Sequence, residues 1–171
     1  QAAAKVITES IDKDAKVNWF DCCLGSQFTK STTTSYLEEQ GASSTTKGVF
    51  FGSKKQKFDL DVQTIHSKPN TTSDMITKGV LNDEAKTVYK WLIKIQPGAF
   101  SSKGFQKEDT LLLSEKAEVD PVPILEIHND DVKCSHGTTV SQLDQDHLFY
   151  MMTRGLSESE ARKNIIVGFF E

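Results

Sequence analysis

The chain has 171 residues, a formal net charge of −4, 37% hydrophobic residues and 26% charged ones. That is enough for one domain with a real core, and too apolar for a disordered chain. The acidic balance speaks against a general affinity for nucleic-acid phosphates, and no apolar run is long enough to span a bilayer.

Up to about His136 the sequence reads as many short strands separated by turns. Lys16–Leu24 is apolar on both faces, with Val17, Trp19 and Cys23 pointing one way and Phe20, Cys22 and Leu24 the other. From Ser26 to Thr46 the chain is crowded with Ser and Thr, which favours extended backbone whose hydroxyls can bond across neighbouring rungs. Further strands are expected at Gly48–Phe51, Lys57–Ile65, Thr87–Ile95, Thr110–Ser114 and Ile124–His128. Turn signals lie between them at Lys68-Pro-Asn70, Leu81-Asn-Asp83 and Gln96-Pro-Gly98. Such spacing suits a sandwich, a barrel or a solenoid, and without strict self-similarity composition leaves that choice open.

The character changes after Ser141. Asp144 caps an expected helix over Gln145–Thr153, and Gly155 stops it. Ser157-Glu-Ser-Glu160 is a capping box for a second helix with Ala161, Ile165 and Phe169 on one stripe. These helices bury their stripes on their own domain or on a partner.

The chemistry concentrates at Asp130–Val140. Cys134 and His136 alternate with Lys133 and Ser135, so on a strand thiol and imidazole share one face. Both groups suit zinc, copper(I) or the iron of an iron–sulfur cluster, yet two ligands do not complete a shell. Taken alone the pair also fits a buried structural thiol beside a surface histidine. Glu126 and His128, expected together on the preceding strand, are the supporting candidates. Cys22 and Cys23 lack zinc-knuckle spacing, and three cysteines cannot pair completely, which fits a reducing cytosol. There is no glycine-rich phosphate loop, dinucleotide fingerprint or nucleophile elbow, so no nucleotide site of its own is expected. Opening on Gln1 and stopping at Glu171, the chain reads as a piece of a longer protein.

The stretches Leu111-Leu-Leu-Ser114, Glu115–Asp120, Pro123-Ile-Leu-Glu-Ile127, Asp130-Asp-Val-Lys-Cys-Ser-His-Gly137, Leu148-Phe-Tyr150 and Arg154-Gly155 occur in an order that resembles the SufB/SufD family of iron–sulfur cluster assembly proteins. The Cys-Ser-His-Gly form is nearer the SufD branch. The likeness is dense from Leu111 to Phe169, looser through Ser73–Leu81, and faint before Ser67. It implies a right-handed parallel β-helix over residues 1–140 and a two-helix element over 141–171. It further implies a non-catalytic scaffold in the cytoplasm, or in an organellar stroma, with a transient iron–sulfur cluster at a subunit interface. His136 and Cys134 would belong to that interface. Leu148, Phe149, Tyr150, Arg154, Gly155 and Leu156 would dock a SufC-type ABC ATPase. The other partner would be a SufB-like subunit or a second copy of the chain, with no nucleic acid and no membrane. One departure matters: the interface cysteine that the SufB branch has on an earlier strand has no counterpart between Phe105 and Lys116. The rivals are a polysaccharide lyase-like β-helix enzyme and a purely structural solenoid.

Overall fold

A computed structural model describes residues 1–171. Ten strands come first: β1 (Ala2–Ile11), β2 (Lys16–Cys23), β3 (Phe28–Leu37), β4 (Ser43–Gly52), β5 (Lys57–His66), β6 (Thr72–Leu81), β7 (Lys86–Ile95), β8 (Ser102–Leu112), β9 (Glu118–Ile127) and β10 (Val132–Gln142). Helices α1 (Gln145–Thr153) and α2 (Glu158–Phe170) follow. Odd strands stack in the order β1-β3-β5-β7-β9 and even strands in the order β2-β4-β6-β8-β10, every pairing parallel. The chain therefore winds as a β-solenoid with one odd and one even strand per coil. The coils are unequal in length because their turns differ while the strands keep register: Ala2 lies on Phe28, Phe28 on Lys57, and Lys86 on Glu118. That inequality is why no repeat shows in the sequence.

The corners are built alike. Asp14, Gly41, Asn70 and Ser101 all have positive φ, and each donates its N–H to the coil above, to the carbonyls of Gln40, Pro69, Phe100 and Asp131. At these four corners a left-handed residue turns the chain while keeping its amide paired with the next coil.

The interior changes along the axis. Early coils are filled with hydroxyls, including Ser31, Thr33, Ser35 and Ser44, and the Ser44 and Ser35 hydroxyls lie 3.3 Å apart. Later coils carry Phe50, Phe58, Tyr89, Trp91, Ile93 and Ile95 in one cluster. Full burial of each aliphatic or Phe side chain here contributes about 1.5–3 kcal/mol. Gly79 makes room for Phe50, since a Cβ there would lie 2.0 Å from the ring. His66 is sealed between β5 and β6, its ring nitrogens each 2.8 Å from the hydroxyls of Thr71 and Ser73. Burial pushes its pKa down to about 4.

The helices begin where the capping chemistry places them. The Asp144 carboxylate accepts from the amides of Asp146 and His147, and Ser157 and Glu160 form the reciprocal box. Leu143, Leu148 and Ala161 make a small separate core, joined by Leu113 from the corner after β8. Neither helix is long and apolar enough to cross a membrane.

Candidate functional site

Strand β10 is the last of its sheet, and no strand stacks beyond it. Its register sets Cys134 on Gly104 and His136 on Gln106, with Ser135 on Phe105. Gly104 and Gln106 are buried while Phe105 is exposed, so Cys134 and His136 share the inward face and Ser135 lies on the other. With no coil above them, inward side chains stay open to solvent. Cys134 is half-buried against the core cluster and His136 is exposed. Burial raises the Cys134 pKa, partly offset by a hydrogen bond with the Gly104 backbone, so the thiol is the resting form.

The supporting candidates lie elsewhere. Strand β9 ends at Ile127 and belongs to the opposite sheet. Glu126 stands on its outer face in an ion pair with Lys94 at 2.8 Å, and that lysine holds its carboxyl below the usual range. His128 sits in the corner after β9, its amide bound to the Ile95 carbonyl. Glu126 therefore lies on β9 as expected, while His128 falls one residue past the end of that strand, and both belong to the side opposite β10. No three His, Cys, Asp or Glu side chains come close enough together to hold a metal ion. Cys134 and His136 are two residues of ligand type on one strand face, too few to complete a coordination shell within this chain.

The stretch that lacks a cysteine supplies something sequence reasoning passed over. Glu108 is fully buried, inward on β8 directly beneath Thr138 and two residues along from the position under His136. One carboxylate oxygen accepts from the Thr110 hydroxyl, and the other has no partner. Burial pushes its pKa up to about 7, against the lowering effect of the Thr110 bond. Gln106 likewise keeps an unpartnered buried carbonyl oxygen. The alternation of exposed Lys103, Phe105 and Lys107 with the residues between them was the available signal for both.

The two terminal strands differ as edges. Pro121 and Pro123 remove two amide donors from β9, whereas β10 has no proline. Proline blunts a sheet edge, so of the two strands of the last coil the one with an edge free to pair is β10.

The expected docking residues separate by burial. Leu148 is core of the helical pair, and Leu156 packs half-buried against it. Gly155 is the helix stop, at φ 98°. Phe149 and Tyr150 are exposed at 68% and 58%, and the Arg154 guanidinium lies 5.7 Å from the Tyr150 ring centre.

Residues 3–169 match the family described as SUF system FeS cluster assembly, SufBD core domain. The chain belongs to the SufBD family. Relatives named iron-sulfur cluster assembly SufBD family protein include one from Staphylococcus saprophyticus, 33% identical over 159 residues, covering 93% of this chain and 34% of the relative. The relative from Staphylococcus epidermidis is 32% identical over 161 residues, covering 94% and 35%. That from Staphylococcus aureus is 31% identical over 159 residues, covering 93% and 34%. The chain thus spans about a third of the length of the curated relatives it matches. A SufBD match over nearly the whole of this chain displaces the polysaccharide-lyase reading, and the solenoid with its two C-terminal helices agrees with the architecture the resemblance implied.

Proposed function

We propose that this SufBD core domain is a non-catalytic scaffold segment, of the SufD-like kind and cytoplasmic or stromal, on which an iron–sulfur cluster is held as transient cargo. The observation that carries this is the position of His136, which projects from the inward face of the last rung where no further coil covers it. A second subunit, SufB-like or another copy, pairs at the β10 edge and supplies the remaining ligands. Cys134 contributes a thiolate once iron displaces its proton. Incomplete coordination within one chain makes retention depend on the partner, so separation of the two releases the cluster rather than storing it. The exposed Phe149 and Tyr150 face docks a SufC-type ABC ATPase, whose nucleotide cycle drives that separation.

Anaerobic reconstitution with iron and sulfide, in the presence of the partner chain, tests the site. His136→Ala and Cys134→Ser should each lose most of the cluster's visible absorption, while His147→Ala, on α1, should retain it. Equal spectra in all four proteins would remove the cluster role and leave a structural solenoid.

A further inference from the structure

The last turn of a helix leaves carbonyls without intrahelical partners and carries the negative end of the dipole, which cations satisfy. Helix α2 has no basic residue in its last turn. Gly168 falls in that turn, and glycine costs a helix about 1 kcal/mol relative to alanine. The turn is nonetheless helical through Phe170.

The missing cation comes from the β-body. Lys78, on the outer face of β6, donates to the Phe169 carbonyl at 2.8 Å, and its ammonium lies 5.7 Å from the centre of the Phe169 ring. That ring stands edge-on to Phe170, with centroids 5.6 Å apart. Asp109 lies in register beside Lys78 on β8, but its carboxylate is paired with Lys107 at 2.9 Å. The Lys78 ammonium is thus committed to the helix end rather than to its acidic neighbour.

The other attachment of the helical pair lies at its root. Only Leu143 and Asp144 separate β10 from α1, and Leu143 is buried with Leu148, Ala161 and Leu113. One end of the pair is therefore fixed to β10 and the other to β6, with β8 between them in the sheet. We propose that the helical pair is a brace across the last three strands of the even sheet, and that Lys78 is the positioning residue that latches it. With the latch closed, β10 is held through Leu143 although one of its edges has no neighbour. With the latch open, the last turn of α2 frays and β10 loses its restraint. With the latch closed, a load placed on the helices is shared between β10, through Leu143, and β6, through Lys78.

The brace does not rest on the cluster reading, because it is measured on the chain alone without metal or partner. Hydrogen–deuterium exchange compares wild type with Lys78→Met, Lys78→Arg, Phe169→Leu and the control Lys47→Met, an exposed lysine on the neighbouring strand β4. Losing a charged hydrogen bond should speed exchange in residues 166–171 by roughly tenfold. It should also speed exchange across β10 while leaving β5 and β7 unchanged. Lys78→Arg should stay near wild type, and Phe169→Leu, which keeps the carbonyl but loses the ring contact, should fall between. Unchanged exchange in Lys78→Met, a loosened helix tip with β10 unaffected, acceleration spread over every strand, or the same effect from Lys47→Met would each overturn the brace.

Discussion

Ile95 and Ile127 occupy neighbouring rungs of one column, on β7 and β9, with the same inward orientation. Ile95 is 0% exposed and Ile127 is 41% exposed. Across the solenoid the same contrast separates fully buried Gln106 from exposed His136 one rung above it. Burial in this fold is a property of having a coil on both sides, and the in/out alternation alone does not confer it. Chemistry that needs both a rigid backbone and access to solvent is available where stacking stops. The last coil supplies that combination and the middle coils do not.

The sharpest way to break this contrast is truncation at the two isoleucines. Ile95→Ala should cost about 2–5 kcal/mol in denaturant unfolding, because it leaves a cavity inside close-packed neighbours. Ile127→Ala should cost roughly 1 kcal/mol or less, since the surface it vacates is already partly wet. Equal losses would mean that the last coil is covered in solution, and Ile127→Ala would then weaken self-association as well.

Proton linkage sharpens the contrast from the interior. Glu108 has a folded pKa near 7 against an ordinary value of 4.5, so between those values the folded state holds the extra proton. Its contribution to stability therefore falls as pH rises from 4.5 through 7, by up to about 3 kcal/mol. His66 acts in the opposite sense. Its folded pKa is near 4 against 6.5, so the unfolded state takes up the proton and stability falls as pH drops from 6.5 through 4, by a similar amount. The two slopes nearly cancel between pH 4.5 and 6.5. Glu108→Gln should stabilise the protein at pH 8, gain nothing below pH 4.5, and uncover the acid slope of His66. A Glu108→Gln chain no more stable than wild type at pH 8 would show that water or a cation reaches the buried carboxylate.

The smallest effect is expected at the helices. Ser157→Ala removes one half of the capping box and should cost about 1 kcal/mol. The loss should appear in amide exchange of α2 and leave the middle coils at wild-type rates.

Much of the strand pattern was legible locally. Lys57–Ile65 and Thr87–Ile95 alternate cleanly and coincide with β5 and β7 to within a residue at each end. Gly48–Phe51 captured only the apolar end of β4, because its first half is Ser43-Ser-Thr-Thr46, whose buried hydroxyls look polar in isolation. Thr110–Ser114 missed most of β8 for the same reason: Gly104, Gln106 and Glu108 face inward but are not apolar. Pro121 and Pro123 concealed the first half of β9, since proline is tolerated there only because no strand follows it in the sheet. Both helices were readable from their caps, which are contacts between residues two or three apart.

From its own residues the chain determined what depends on near neighbours: the two-residue alternation of Cys134 and His136, the corner and cap residues, and the motifs that mark a SufBD member. Only the folded molecule decided that Glu126 belongs to the opposite sheet, that Glu108 is sealed inside, and that nothing stacks over His136. Those outcomes depend on contacts between residues a full coil apart. Unequal turns set which residue meets which, and a period of two along a strand carries no record of what lies above or below it.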